Sequence, residues 1–429
     1  MNEYTTSAIN KRRLQVNIDK CVRIHISDKG NKQTSDCEKL LVDKWNVETF
    51  SNGSKLKLAD KYKGKVHIKT VQSHLYLGDT VASDASNSLN IKSRVSKGHA
   101  VIKNIVDILE ETHFGDHYFE AMRLLRESMF LSVITNNLEV SFNLTNRDIK
   151  DLEVLDQQLI RRCTITSSKS SRILTLLELG ITSVRVEIQR KRVLYYHHLL
   201  TSEESLAKDI LHAQINFPMH NDWIHTVNSD LKELDINLTP HEISVFSKTG
   251  FKKYLKEACL KSHFKHLIKE KKKLSKGSRL DYDKLEIQNY LKSGNGLSVH
   301  TMRTILQTRI RDLPLKCNFR NAFIDTKCLA PGCKGEDETK HIFECQYLGQ
   351  SHEVTQNLVS FEDIYCCNVK KQSDVINVLK VRLQQRSKFV APQNKTWGPG
   401  GPGKGKKISL VTREAKYKQY HKQITNTNN

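Results

Sequence analysis

The period of the apolar residues changes along this chain. Residues 66–71 and 74–77 alternate apolar and polar side chains, the period of a half-buried strand. Residues 14–17, 22–27 and the weaker run 40–42 also read as strands, after a short polar helix over 3–13. Ser51-Asn52-Gly53-Ser54 is a turn cluster between the earlier and later strands. From about residue 88 the period becomes helical. Ile91, Val95, Val101 and Ile105 fall near one face, and Phe119, Met122, Leu125 and Met129 form a second stripe, continued by Val133 and Ile134. Leu144-Thr145-Asn146-Arg147-Asp148 reads as a helix start, with Thr145 as cap and Asp148 reaching back three residues. That helix runs through Ile149, Leu152, Leu155 and Leu159. After a polar linker at 167–171 and a short apolar run to Gly180, a long basic helix spans 184–200. Pro218 and Pro240 punctuate the helices that follow, and Trp223 begins a stripe with Val227, Leu231 and Leu234.

These periods predict a mainly α protein with a small N-terminal α/β part. Boundaries are expected near residues 87, 200, 320 and 390. The segment 391–429 contains Gly398-Pro399-Gly400-Gly401-Pro402-Gly403 followed by lysines. It cannot bury a core and reads as a flexible basic tail.

Charge narrows the function classes. The 429 residues carry a formal net charge of +22, from 69 Lys+Arg against 47 Asp+Glu. Such an excess repels itself unless a polyanion neutralises it. Nucleic acid is the first partner this suggests and an anionic membrane surface the second, against the plain reading of a generically basic protein. Ten cysteines spread over the length do not have the spacing of a secreted disulfide scaffold, which points to a reducing compartment. No stretch approaches the ~18 continuous apolar residues of a membrane span and no N-terminal apolar segment reads as a signal peptide. A soluble intracellular protein, nuclear or cytoplasmic, is expected.

Two features carry candidate chemistry. The first is Cys328-x4-Cys333-x7-His341-x3-Cys345. Zinc takes Cys3His sets tetrahedrally in structural sites. Pro331-Gly332 can form the tight knuckle between the first two ligands, and His341 and Cys345 lie one helical turn apart. The alternative is four unrelated polar residues of a core. A site with four protein ligands is closed and stabilises without catalysing. The second feature is basic. Arg185, Arg190, Lys191 and Arg192 form one face of the 184–200 helix, against Val186, Ile188, Val193 and Leu194. Lys271, Lys272 and Lys273 belong to a lysine run over 261–276. Arg303, Arg309 and Arg311 sit on a helix expected to end before Pro314, with Arg303 and Arg311 approximately on one face. Lys316 and Arg320 follow, and Phe319 can stack on a base. Arg offers phosphate a planar fork of donors, so these twelve residues are the nucleic-acid candidates. The alternative is a set of solvated basic helix faces. There is no Walker loop, no Gly-x-Ser-x-Gly elbow and no His-Glu-x-x-His. The pair His197-His198 reads as ordinary helix surface.

Val16-Asn17-Ile18-Asp19-Lys20-Cys21-Val22-Arg23-Ile24-His25-Ile26 and Leu75-Tyr76-Leu77-Gly78-Asp79 resemble the last two palm motifs of reverse transcriptases from non-LTR retrotransposons. Leu124-Leu125-Arg126-Glu127-Ser128-Met129 and Leu177-Glu178-Leu179-Gly180 resemble stretches of their thumb. The arginine-rich stretch, the Cys-Cys-His-Cys cluster and Phe361-Glu362-Asp363-Ile364-Tyr365 resemble the linker, knuckle and following segment. The likeness covers residues 10–385. It implies a palm remnant over 1–87, a helical thumb over 88–200, a helical basic linker over 201–320, and a zinc knuckle with following helices over 321–390. It implies that Lys20 matches the palm lysine near the incoming nucleotide and that Leu75–Asp79 is the primer-grip hairpin. The departures bear on function. Fifteen residues precede the first motif, and no Asp-Asp pair occurs anywhere. The expectation is therefore a fragment that binds RNA, DNA or an RNA–DNA hybrid, with structural Zn2+, no Mg2+ site, no catalytic residue and an inactive Lys20. Its family activity is RNA-directed DNA polymerisation. Two alternatives stand beside it: half of a split polymerase completed by another fragment in trans, and a decayed remnant.

Overall fold

The computed structural model describes residues 86–348 apart from 142–143, 220–221, 275–276, 314, 316 and 318–325, and residues 359–393, with side chains to 388. Before residue 86 it describes only short pieces between 22 and 84. The expected helix over 3–13, Lys20, Lys316, Phe319, Arg320 and the tail beyond 393 lie outside the described residues.

The chain divides into two compact units, residues 1–96 with 141–148, and residues 97–140 with 149–429. The first unit holds the strands. β1 (Val22–Arg23) pairs in parallel with β4 (Lys69–Thr70), and β2 (Lys39–Leu40) pairs antiparallel with β3 (Val66–His67). β5 (Ser73–Tyr76) and β6 (Asp79–Ala82) form an antiparallel hairpin in which Tyr76 faces Asp79. The alternation in 74–77 is thus expressed as a hairpin strand. Of the strands expected over 22–27 and 40–42, only Val22–Arg23 and Leu40 are described; the rest of both, the strand expected over 14–17 and the turn at 51–54 lie outside the described residues. The start of α1 (Ser88–Glu111), as far as Ser96, belongs to this unit, and its buried Arg94 pairs with Asp79.

The second unit is helical. α2 (Tyr118–Leu125) runs on through a π-helical turn over Arg126–Leu131. α3 (Asn146–Thr164), whose first three residues belong to the first unit, starts as its sequence predicts. The Thr145 hydroxyl accepts from the Asp148 amide at 3.2 Å, and the Thr145 amide donates to the Asp148 carboxylate at 2.9 Å. α4 (Arg172–Leu179) is capped by Ser171 and ends at Gly180, whose φ is +61°. A Cβ there would lie 2.1 Å from the Glu286 carbonyl carbon, so glycine is required both for the turn and for the passing backbone.

α5 (Val184–Thr201), capped by Ser183, matches the predicted basic helix. It shares one core with α6 (Leu206–Asn216), α7 (Trp223–Glu233), α8 (Pro240–Val245) and α9 (Lys248–Lys272), in which Val193, Tyr196, Leu211, Val227, Leu231, Ile243, Phe251 and Leu255 are buried together. Residue 200, where a boundary is expected, lies on α5 within this core. His197 corrects a second expectation. It is buried, stacks on Phe251 at 4.5 Å and has Nε2 3.0 Å from the Phe246 carbonyl, while His198 is exposed. α10 (Val299–Arg309), α11 (Thr339–Glu344) and α12 (Val369–Gln393) complete the unit, and α12 packs on both of the others.

Buried arginine–carboxylate pairs knit this unit across long separations. Arg126 grips Asp156 with two bonds of 2.7 and 2.8 Å and also donates to the Thr182 carbonyl. Arg192 pairs with Asp230, and Arg386 with Asp337. Glu178 is fully buried and accepts from Arg309 Nε, Tyr282 and Tyr290. Such pairs add little net energy, because desolvation offsets attraction, but losing one partner strands a charge.

Candidate metal centre and basic surface

The metal candidate is assembled by a loop and a short helix. Lys327 and Glu336 form an antiparallel bridge, and the Cys328 amide donates to the Gly335 carbonyl at 2.7 Å. Inside that loop the Cys333 amide closes a turn on the Ala330 carbonyl, with Gly332 at φ +80°. The Pro331-Gly332 knuckle thus forms as its sequence predicts. α11 presents His341, and Cys345 is the residue that ends it. The four ligand atoms of Cys328, Cys333, His341 and Cys345 all lie within 4.8 Å of one another.

The separations suit a tetrahedron. Sγ of Cys345 lies 3.9 Å from Sγ of Cys328 and 3.8 Å from Sγ of Cys333. Zn–S bonds of about 2.3 Å at tetrahedral angles give an edge of about 3.8 Å. Sγ of Cys333 lies 3.2 Å from Nε2 of His341. Burial pushes the Cys328 thiol up to about 12, and the neighbouring thiols of Cys345 and Cys333 push the same way. A cation reverses that balance, because thiolates are its ligands. The group can hold a metal ion, and with four protein ligands it leaves no open position.

The surrounding residues fix the ligands. Gly335 lies close beside the His341 ring, and a Cβ there would sit 2.2 Å from Cε1. The Asp337 amide donates to the Thr326 carbonyl at 2.8 Å, and its carboxylate receives Arg386 of α12, with Nε at 2.6 Å. Arg382 of α12 donates to the Cys345 carbonyl. α12 therefore holds the metal loop at two points, Asp337 between the second and third ligands and Cys345 at the last.

The predicted basic residues divide. Arg192 and Arg309 are buried and committed to Asp230 and Glu178, so they hold the fold and do not face a ligand. Arg309 also donates to the Ile364 carbonyl at 2.9 Å. Arg303 lies over the Tyr118 ring at 4.7 Å and donates to the Tyr118 hydroxyl and the Cys163 carbonyl. Its expected common face with Arg311 does not form, because α10 ends at Arg309 and Arg311 follows with φ +54°. Arg190 is held by Glu187 one turn earlier, and Lys191 donates to the Thr135 hydroxyl. Arg185 and Arg311 are half-buried. Lys271 is mostly covered and lies over Tyr282 at 5.6 Å. Lys272 and Lys273 are exposed, and Lys273 pairs with Glu270.

Most of the lysine run expected over 261–276 falls on α9, and the structure shows how its lysines are spaced around that helix. Phe251, Leu255, Cys259, His263 and Leu267 form its buried row, four residues apart. Two residues further on, Lys253, Glu257, Lys261, Lys265, Lys269 and Lys273 form an exposed row. Three successive Lys–Lys steps in it, from Lys261 to Lys273, each cost about 0.2–0.5 kcal/mol of helix stability. The signal was legible as a four-residue period set against the apolar one. Compared with known proteins, the chain matches no family model, no curated protein sequence and no solved structure. Among the described residues no helix is long and apolar enough to cross a membrane.

Proposed function

We propose that the chain is a nucleic-acid-binding fragment descended from a non-LTR retrotransposon reverse transcriptase, non-catalytic by itself and fastened by a structural zinc ion. The observation that carries this reading is the closed Cys3His group on a chain of net charge +22. Four ligands with no open position suit zinc as a cross-link, and the charge excess suits a polyanion partner. The motif resemblance supplies the family, and the 429 residues given contain no Asp-Asp pair of the kind that holds the metal ions of polymerisation. Cys328, Cys333, His341 and Cys345 would hold the zinc, which ties the loop to α11 and, through Arg382 and Arg386, to α12. Binding is electrostatic and indifferent to sequence, since lysine contacts to phosphate carry no base information.

The test is titration of a labelled RNA–DNA hybrid into the full chain across a salt series, before and after metal removal. Affinity that falls by orders of magnitude between 50 and 200 mM salt supports the reading; about 10³-fold corresponds to six phosphates neutralised. Metal content of one zinc per chain, with loss of binding after chelation, supports the structural role. Folded, zinc-loaded protein that does not bind the hybrid at low salt overturns it.

A further inference from the structure

We propose that the exposed row on α9 is the phosphate-tracking surface of this protein, the part that lies along a nucleic-acid duplex. The inference rests on the nucleic-acid reading above and assigns it a place. Rows four residues apart rise about 6 Å per step, and two residues turn the helix by about 200°. The row of Lys253, Glu257, Lys261, Lys265, Lys269 and Lys273 therefore stands opposite the buried row and runs about 30 Å. From Lys261 onward no acid interrupts it.

A helix face that served only solubility would alternate charge sign and gain from its i,i+4 pairs. This one repeats one sign at neighbouring positions, an arrangement that a line of anions relieves. The acids beside it hold it loosely. Asp235 meets Lys265 and Glu270 meets Lys273, each at 2.6 Å; the first pair is largely exposed to solvent and the second is exposed on its lysine side. The apolar face of α9 is spent on the core, so the helix has no apolar side free to enter a membrane. Lysine is a point charge on a flexible stem, suited to phosphates in a row and not to reading base edges. A duplex backbone supplies that row.

The experiment uses the full chain and a labelled DNA duplex of mixed sequence, with the RNA–DNA hybrid in parallel. Lys261, Lys265, Lys269 and Lys273 are changed together to Gln. The slope of log K against log salt is expected to become shallower by about 3–4, at about 0.9 for each phosphate no longer neutralised. Changing the same four to Arg should keep the slope. A second set of exposed lysines, Lys97, Lys103, Lys150 and Lys370, is changed to Gln to match the charge loss, and should leave the slope nearly unchanged. Equal loss from both sets overturns the assignment, because net charge alone would then explain binding. An unchanged slope in the α9 variant, with wild-type binding intact, overturns the assignment and spares the nucleic-acid reading. Absence of wild-type binding overturns both. Tighter binding to phosphatidylserine vesicles than to duplex, lost in the α9 variant, overturns the choice of partner.

Discussion

Replacing Gly335 by Ala should separate metal binding from folding. The backbone at Gly335 is not left-handed, so Ala meets no conformational barrier there. In a neutral setting such a change stabilises by about 0.4–1 kcal/mol through the unfolded state. The obstacle is the His341 ring. The new methyl group would lie 2.2 Å from Cε1, 2.5 Å from Nδ1 and 2.7 Å from Nε2. Ordinary contact begins near 3.4 Å, so the ring must retreat by about 1.2 Å. A ligand distance tolerates about 0.2 Å, so His341 leaves the coordination sphere. Disturbing only the support of a ligand costs 10–100-fold in affinity, and losing the ligand itself should cost at least about 100-fold. The assay is competition for Zn2+ against a chromophoric chelator, with Co2+ spectra to count sulfur and nitrogen ligands. Wild-type protein should show three sulfurs and one nitrogen, and the variant three sulfurs and a solvent oxygen. Metal-free stability in urea should match or exceed that of metal-free wild type. Zinc affinity within threefold of wild type, with nitrogen still bound, would refute the reasoning.

Two further predictions concern the buried groups. Glu178→Gln and Arg309→Met should each destabilise by about 3–5 kcal/mol, because each strands the other's charge in the core. Their double variant should cost clearly less than the sum; additive losses in urea denaturation would show that the two do not act as a pair. His263 is buried beside Arg172 and Arg126, receives the Ser183 amide on Nε2, and has its pKa lowered by burial to about 3. The folded state therefore resists a proton that the unfolded state accepts near pH 6.5, so stability falls as pH drops from 6.5 toward 3. Between pH 6.5 and 4.5 His263 should contribute a loss of about 2–3 kcal/mol. A His263→Gln variant whose stability falls just as steeply over that window would contradict it.

Much of the helical order was legible because its signals are local. The Thr145–Asp148 start, the 184–200 helix and the turn at Pro331-Gly332 all depend on neighbours within a few residues. The metal group was legible for the same reason, since its ligands fall within eighteen residues of chain, and a cation needs all four at once. The basic residues were misjudged where long-range partners decide. Arg309 looks like a surface residue until Glu178, 131 residues earlier, is placed beside it. Arg192 looks the same until Asp230 is. Only the charge embedded in Leu176-Leu177-Glu178-Leu179 hinted that a carboxylate would be buried and need a partner. The shared core of α5 and α9 was missed because an apolar stripe tells which face is buried, not what it is buried against.

The Glu178 cluster also sets an order of events during synthesis. At 5–20 residues per second, Arg309 leaves the ribosome about 7–26 s after Glu178, and Ile364, which anchors Arg309 from the other side, follows about 3–11 s later. Throughout that interval α4 carries a carboxylate without its cation, with only the Tyr282 and Tyr290 hydroxyls to join water around it once they emerge. The nascent chain therefore cannot seal this part of its core, although the α5–α9 helices, whose contacts lie nearer in sequence, are free to do so. Closure waits for Arg309 and Ile364, and a ribosome that stalls before residue 309 holds a protein with an open, charged seam.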